Sequence, residues 1–130
     1  IYKRTGSSWA QEAYIKATNS EAGDSFGSSV ALDNNTLAVG AQFEDSNQTT
    51  ITNGPSASSD NSVDGSGAVY VFRRTGSLWA QQAYIKAANS AASYQFGDNN
   101  VALDNITLVA GSDKDSSRAG AVYVYTFFGK

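Results

Sequence analysis

Apolar and polar residues alternate in short stretches along this chain, the period of two that strands require. Val69 and Val71 alternate with Ala68, Tyr70 and Phe72, and Ala13, Ile15 and Ala17 alternate with Tyr14 and Lys16. Between the apolar runs Val30 to Leu32 and Leu37 to Val39 stand Asp33, Asn34 and Asn35. These residues tolerate left-handed turn backbone, so the stretch predicts a hairpin. The chain is therefore expected to be all-β.

The pattern also recurs, and a period of tens of residues marks repeat architectures. KRTGSSWAQEAYIKATNS, Lys3 to Ser20, returns as RRTGSLWAQQAYIKAANS, Arg73 to Ser90. DSFGSSVALDNNTLAVGA, Asp24 to Ala41, answers YQFGDNNVALDNITLVAG, Tyr94 to Gly111, with one residue inserted after the second Phe-Gly. GAVYVF, Gly67 to Phe72, answers GAVYVY, Gly120 to Tyr125. Each unit predicts four strands: Phe-Gly-x-x-Val, Leu-Ala-Val-Gly-Ala, Gly-Ala-Val-Tyr-Val-Phe, and one led by Trp. The units divide the chain into 1–20, the Trp strand of a neighbouring unit; 21–90, a complete unit with a long polar loop at 42–66; and 91–130, a unit lacking its own Trp strand.

Phe26-Gly27 with Val30, then Gly40-Ala41, then Gly67 to Phe72, resemble the FG-GAP repeat of integrin alpha-subunit propellers and of many bacterial surface proteins. The second copy carries Phe96-Gly97, a degraded Ala110-Gly111, and Gly120 to Tyr125. The resemblance implies antiparallel four-stranded propeller-type blades, the second completed by a strand from another chain or segment. It also implies an extracellular or cell-surface protein that works by interaction or adhesion. The repeat core is then Phe26, Gly27, Gly67, Tyr70, Phe96, Gly97, Gly120 and Tyr123, whose glycines allow close backbone approach where sheets pack face to face.

Two blades are too few for a propeller, which has about 4–8. The expected remedy is strand sharing, in which the stretch carrying Trp9, Tyr14 and Ile15 in one molecule completes the second blade of another. Head-to-tail contact of this kind gives a ring or an open filament. The alternatives are a C-terminal piece of a longer integrin-like propeller, which a start at Ile1 in place of Met also suggests, or the accessory propeller of a polysaccharide-active or lipid-active enzyme.

Composition narrows the chemistry. There is no His, Cys or Met, which excludes His-based triads, thiol nucleophiles, disulfide scaffolds and zinc sites built on His or Cys. No acidic pair is singled out by spacing for glycosidase-like work, so no enzyme activity is expected. A net charge of −3 gives no basic field for nucleic acid, and no apolar run is long enough for membrane insertion.

The resemblance implies Ca²⁺ as a cofactor, held in an Asp-rich loop, yet Asp33-Asn34-Asn35-Thr36 and Asp104-Asn105-Ile106-Thr107 are too short to wrap an ion. Asp113 with Asp115, and Glu44 with Asp45, are the remaining candidate ligands, or else solvated turn carboxylates. Acceptor sequons place candidate covalent glycans on Asn34, Asn47 and Asn105, the first and last at the same hairpin position in both copies. Trp9 and Trp79 with Tyr14 and Tyr84 read as packing residues in preference to a carbohydrate-stacking stripe. The polar loop at 42–66 reads as a mobile surface loop or a docking place.

Overall fold

The computed structural model describes residues 1–127. Strands β1 (Tyr2–Thr5) and β2 (Ser8–Gln11) form a separate hairpin. Strands β3 (Phe26–Asp33), β4 (Thr36–Ala41), β5 (Ile51–Asn53), β6 (Ala68–Thr75) and β7 (Leu78–Ile85) form one antiparallel sheet in the order β3-β4-β6-β7-β5. Strands β8 (Val101–Asp104), β9 (Thr107–Ser112) and β10 (Ala121–Thr126) form a second, ordered β10-β9-β8. A single turn at Asp115–Arg118 is the one helical element among the described residues.

The tight turns follow from residue type. Asp33 pairs with Thr36 across Asn34 and Asn35, and Asp104 pairs with Thr107 across Asn105 and Ile106. Asn34 and Asn105 both take a left-handed φ of 52°, a conformation Asn adopts at low cost. The β1–β2 and β6–β7 hairpins also match: Arg4 pairs with Trp9 as Arg74 pairs with Trp79.

Three expectations need correcting. The first sheet has five strands, because β5 comes from the 42–66 loop and pairs with β7 through Ile51–Ile85, Thr52–Tyr84 and Asn53–Ala83. The loop is accordingly tied down: Gly54 N–H donates to Gln82 O at 2.7 Å and Val63 N–H to Asp45 O at 2.8 Å. Ile51 and Thr52 are β-branched and fit a pleated edge, so β5 covers the open edge of β7. Second, the N-terminal Trp strand is shorter than its pattern implies. Residues 12–17, with Tyr14 and Ile15, form no strand: Ile1 bonds Glu12 and Ala13, and among the described residues no strand continues that pairing beside Tyr14 and Ile15. Third, the register aligns Gly111-Ser112, not Ala110-Gly111, with Gly40-Ala41: Gly40 pairs with Val69 and Gly111 with Val122.

Strand alternation gives the first sheet two apolar faces. One carries Ala38, Val69, Val71, Ala83 and Ile85, and the second sheet covers it with Phe96, Leu108 and Ala110. The other carries Leu37, Val39, Tyr70, Phe72 and Tyr84, and Ile1, Ile15, Ala17 and Phe26 pack there. The aromatic geometry repeats between copies. Phe26 meets Tyr70 edge-on at 5.4 Å, and Phe96 meets Tyr123 edge-on at 5.1 Å, the arrangement that ring quadrupoles favour.

Candidate functional site

The junction between the two sheets is built from the glycines of the repeat. Phe96 makes a parallel bridge to Gly67, and Ser29 Oγ donates to Gly97 O at 2.6 Å. A methyl group on Gly67 would overlap the Phe96 backbone, and one on Gly40 would overlap Gly97 O. A methyl on Gly97 would stand 2.8 Å from Val69 Cγ2. The Phe-Gly of one unit therefore seats directly on the Gly-Ala-Val of the unit before it.

Both halves of this junction occur a second time, uncovered. Val69 and Val71 are 0% and 3% exposed, whereas their repeat counterparts Val122 and Val124 are 70% and 64% exposed. Val109 pairs with both Val124 and Ala102, placing all three side chains on that outer face. At its end a groove of about 750 Å³ runs between Asn100, Gly111, Gly120 and Val122. At the opposite end of the stack, Val30 and Leu32 are 63% and 58% exposed, although their counterparts Val101 and Leu103 pack into the inter-sheet core. Gly27, the counterpart of Gly97, has nothing within 4 Å of the position a Cβ would take.

Beside the junction lies a polar cluster. The Glu44 and Lys86 side chains are 2% and 0% exposed and meet at 2.6 Å. Glu44 Oε1 also accepts from Tyr84 Oη at 2.7 Å and Asn19 Nδ2 at 3.2 Å, while Oε2 accepts from the Ser46 N–H at 3.2 Å. Lys86 Nζ also donates to Ser66 Oγ at 2.6 Å, and Tyr70 Oη donates to Asn19 Oδ1 at 2.7 Å. Burial lowers the Lys86 ammonium from its ordinary value, and the Glu44 charge partly offsets this. Burial likewise raises Tyr84 and Tyr70, with the Glu44 charge acting in the same direction.

The second sheet carries half of the same cluster. Asp115, in the place of Glu44, accepts on Oδ2 from Asn89 Nδ2 at 2.7 Å and Tyr123 Oη at 2.5 Å. Tyr123 Oη also approaches Asn89 Oδ1 at 2.6 Å. Hydrogen bonds from Ser116, then Tyr123, then Asn89 hold the Asp115 carboxyl below its ordinary value. Among the described residues it lacks a Tyr and a Lys from a flanking strand. The counterparts of Tyr84 and Lys86 are Tyr14, 80% exposed, and Lys16, also exposed.

The carboxylates suggested for Ca²⁺ are otherwise engaged. A cation at Glu44 would have to displace the Lys86 ammonium, and Asp45 Oδ1 accepts the Gly65 N–H at 2.6 Å. Asp115 is buried under its donors and Asp113 is exposed, and no group of three or more acidic side chains able to hold a metal occurs among the described residues. These residues do not fit the ion. Asn34, Asn47 and Asn105 are all exposed, with Asn34 Nδ2 donating to Asp33 Oδ1 at 3.1 Å and Asn105 N–H to Asp33 Oδ2 at 2.6 Å.

Trp79 packs as expected, donating from Nε1 to Glu12 Oε1 at 3.0 Å with the Arg74 guanidinium 5.9 Å from its ring centre. Trp9 does not pack and is 67% exposed. Lys86, Asn19, Asn89, Val122 and Val124 escaped a reading by residue type. The signal for Lys86, Asn19 and Asn89 is the spacing Tyr-x-Lys-x-x-Asn, present at Tyr14 and again at Tyr84, and that for Val122 and Val124 is the recurrence of Gly-Ala-Val-Tyr-Val.

Stacked antiparallel sheets, joined by seating the Phe-Gly of one unit on the Gly-Ala-Val of another, define a propeller-type β-repeat protein. A family model described as FG-GAP repeat matches the chain twice, over residues 9–57 and 79–125. The chain belongs to the FG-GAP repeat family. No curated protein and no solved structure matches it. No helix among the described residues is long and apolar enough to cross a membrane.

Proposed function

We propose that this chain is a non-catalytic, extracellular interaction module whose units stack head to tail with those of other copies, in a ring or a filament. The observation that carries the reading is the doubled junction. The valine face that the second sheet covers inside the chain recurs at Ala102, Val122 and Val124 with nothing upon it. The surface that would cover it recurs at Val30 and Leu32. Two different, mutually complementary patches at opposite ends make a heterologous contact, which propagates until the rotation closes or continues as a fibre. Exposed apolar faces of this kind mark association surfaces.

A non-catalytic role is supported by the state of the buried acid. Glu44 is ion-paired and fully hydrogen-bonded, which suits a structural tie better than proton transfer. An extracellular place is supported by the family, with adhesion as the corresponding task.

Light scattering on the pure chain over a wide concentration range tests the reading. The expected result is a mass that grows with concentration, and that reverts to the monomer in Val122→Asp. A wild-type chain that stays monomeric throughout would assign both faces to further repeats of one longer polypeptide and overturn the proposal.

A further inference from the structure

We propose that Lys16 and Tyr14 of one copy complete the half-built cluster around Asp115 of the next, making this polar contact the element that orders the stack. The inference rests on the stacking proposed above and names the groups that recognise one another. Within the chain, one strand serves two carboxylates. Tyr84 and Lys86 bond Glu44 of their own sheet, and Asn89, three residues on, bonds Asp115 of the following sheet. The N-terminal segment carries the same three residues at the same spacing, and Asn19 already does for Glu44 what Asn89 does for Asp115. Tyr14 and Lys16, the remaining two of the three, are exposed.

Asp115 supplies the matching vacancy. Its Oδ2 accepts from Asn89, as Glu44 Oε1 accepts from Asn19, and also from Tyr123, the counterpart of Tyr70, while among the described residues its Oδ1 takes only the Ser116 hydroxyl. The atom that bonds an ammonium at Glu44 has here a neutral neighbour. Ser116 itself sits in a turn where it, Ser117 and Arg118 have φ of 48°, 66° and 71°, a left-handed run that non-glycine residues adopt at a cost. An arriving Lys16 ammonium would take over Oδ1 and let this turn relax. Charge complementarity therefore selects another copy of this chain, since the docking strand must bring a phenol and an ammonium two residues apart. Ala119 stands where Ser66 supports Lys86, so the carboxylate is the one partner Lys16 requires.

Sedimentation velocity on the full chain tests this. Lys16 is exposed, so Lys16→Glu should leave the monomer's thermal melt unchanged while facing two carboxylates against each other. Self-association should weaken by about tenfold or more. Asp115→Lys alone should fail in the same way, and an equimolar mixture of the two variants should associate, because each junction then regains opposite charges. Should Asp115→Lys melt early, Lys16→Glu and Lys16→Met still decide: the acidic variant must associate more weakly than the neutral one. Wild-type association that Lys16→Glu leaves intact would overturn this inference while the stacking survived. A monomeric wild type would overturn the stacking and the inference together.

Discussion

Lys86 Nζ lies 2.6 Å from Glu44 Oε2, with both side chains sealed from solvent. Such a pair is strongly unbalanced by the loss of one member, because the survivor is left as an unpaired charge in a poorly polarisable surrounding. Lys86→Met should cost about 3–5 kcal/mol in urea unfolding. Replacing both, as Glu44→Gln with Lys86→Met, should cost less than Lys86→Met alone. A Lys86→Met variant as stable as the wild type would show that Glu44 does not need its partner.

Gly40 and Gly111 hold the same repeat position but face different surroundings. Neither has a left-handed φ, so alanine at either tests space alone. At Gly40 the new methyl would overlap the Gly97 carbonyl and Ser29 Oγ, both part of the junction. At Gly111 it would stand 3.0 Å from Asn100 Cβ, a contact that a shift of a few tenths of an ångström relieves. Gly40→Ala should therefore destabilise by about 1–3 kcal/mol, the usual range for overpacking. Gly111→Ala should cost much less, and chemical denaturation of the two variants compares them directly.

Alkali should unfold the protein. Burial first, then the Glu44 charge, raises Tyr70 and Tyr84 above their ordinary value of 10.0. The folded chain then keeps phenolic protons that the unfolded chain releases. Their contribution is complete below the unfolded value and is lost as pH rises past it. Lys86, lowered by burial from 10.5, works the other way over a window ending at that value, but it is one group against several tyrosines. Urea midpoints should hold up to pH about 10 and fall as the pH rises beyond it, and Tyr84→Phe should flatten that fall. A midpoint independent of pH across this span would contradict the burial of these phenols.

The hairpins were legible because their signals are local. Asp33-Asn34-Asn35 and Asp104-Asn105-Ile106 name their turns outright, and the Phe-Gly and Gly-Ala-Val recurrences marked the backbone-to-backbone junction. Residues 12–17 misled because alternation reports what a segment would do beside a partner, and among the described residues no partner strand lies beside Tyr14 and Ile15. β5 was hidden for the opposite reason: Ile51 is a lone apolar residue in a polar stretch, and only the free edge of β7 turns 51–53 into a strand. The Glu44–Lys86 pair was the least visible part. A carboxylate after Gly-Ala and a lysine after Tyr-Ile each read alone as solvated, and it takes the whole sheet stack to bury them together.

Val71 and Val124 occupy one repeat position on β6 and β10, yet the first is buried by the second sheet and the other faces solvent. Val71→Ala removes two buried carbons and leaves a cavity, a loss of about 2 kcal/mol. Val124→Ala in the dilute monomer should fall within about 0.5 kcal/mol of wild type, as exposed substitutions do. Stacking adds a condition to this contrast. A copy seated on Val124 stabilises the folded state by mass action, so the wild-type melting temperature should climb with protein concentration while that of Val124→Asp stays flat. Thermal melts of the two proteins over a concentration series read this out, and parallel lines would mean that nothing of this chain covers the valine face.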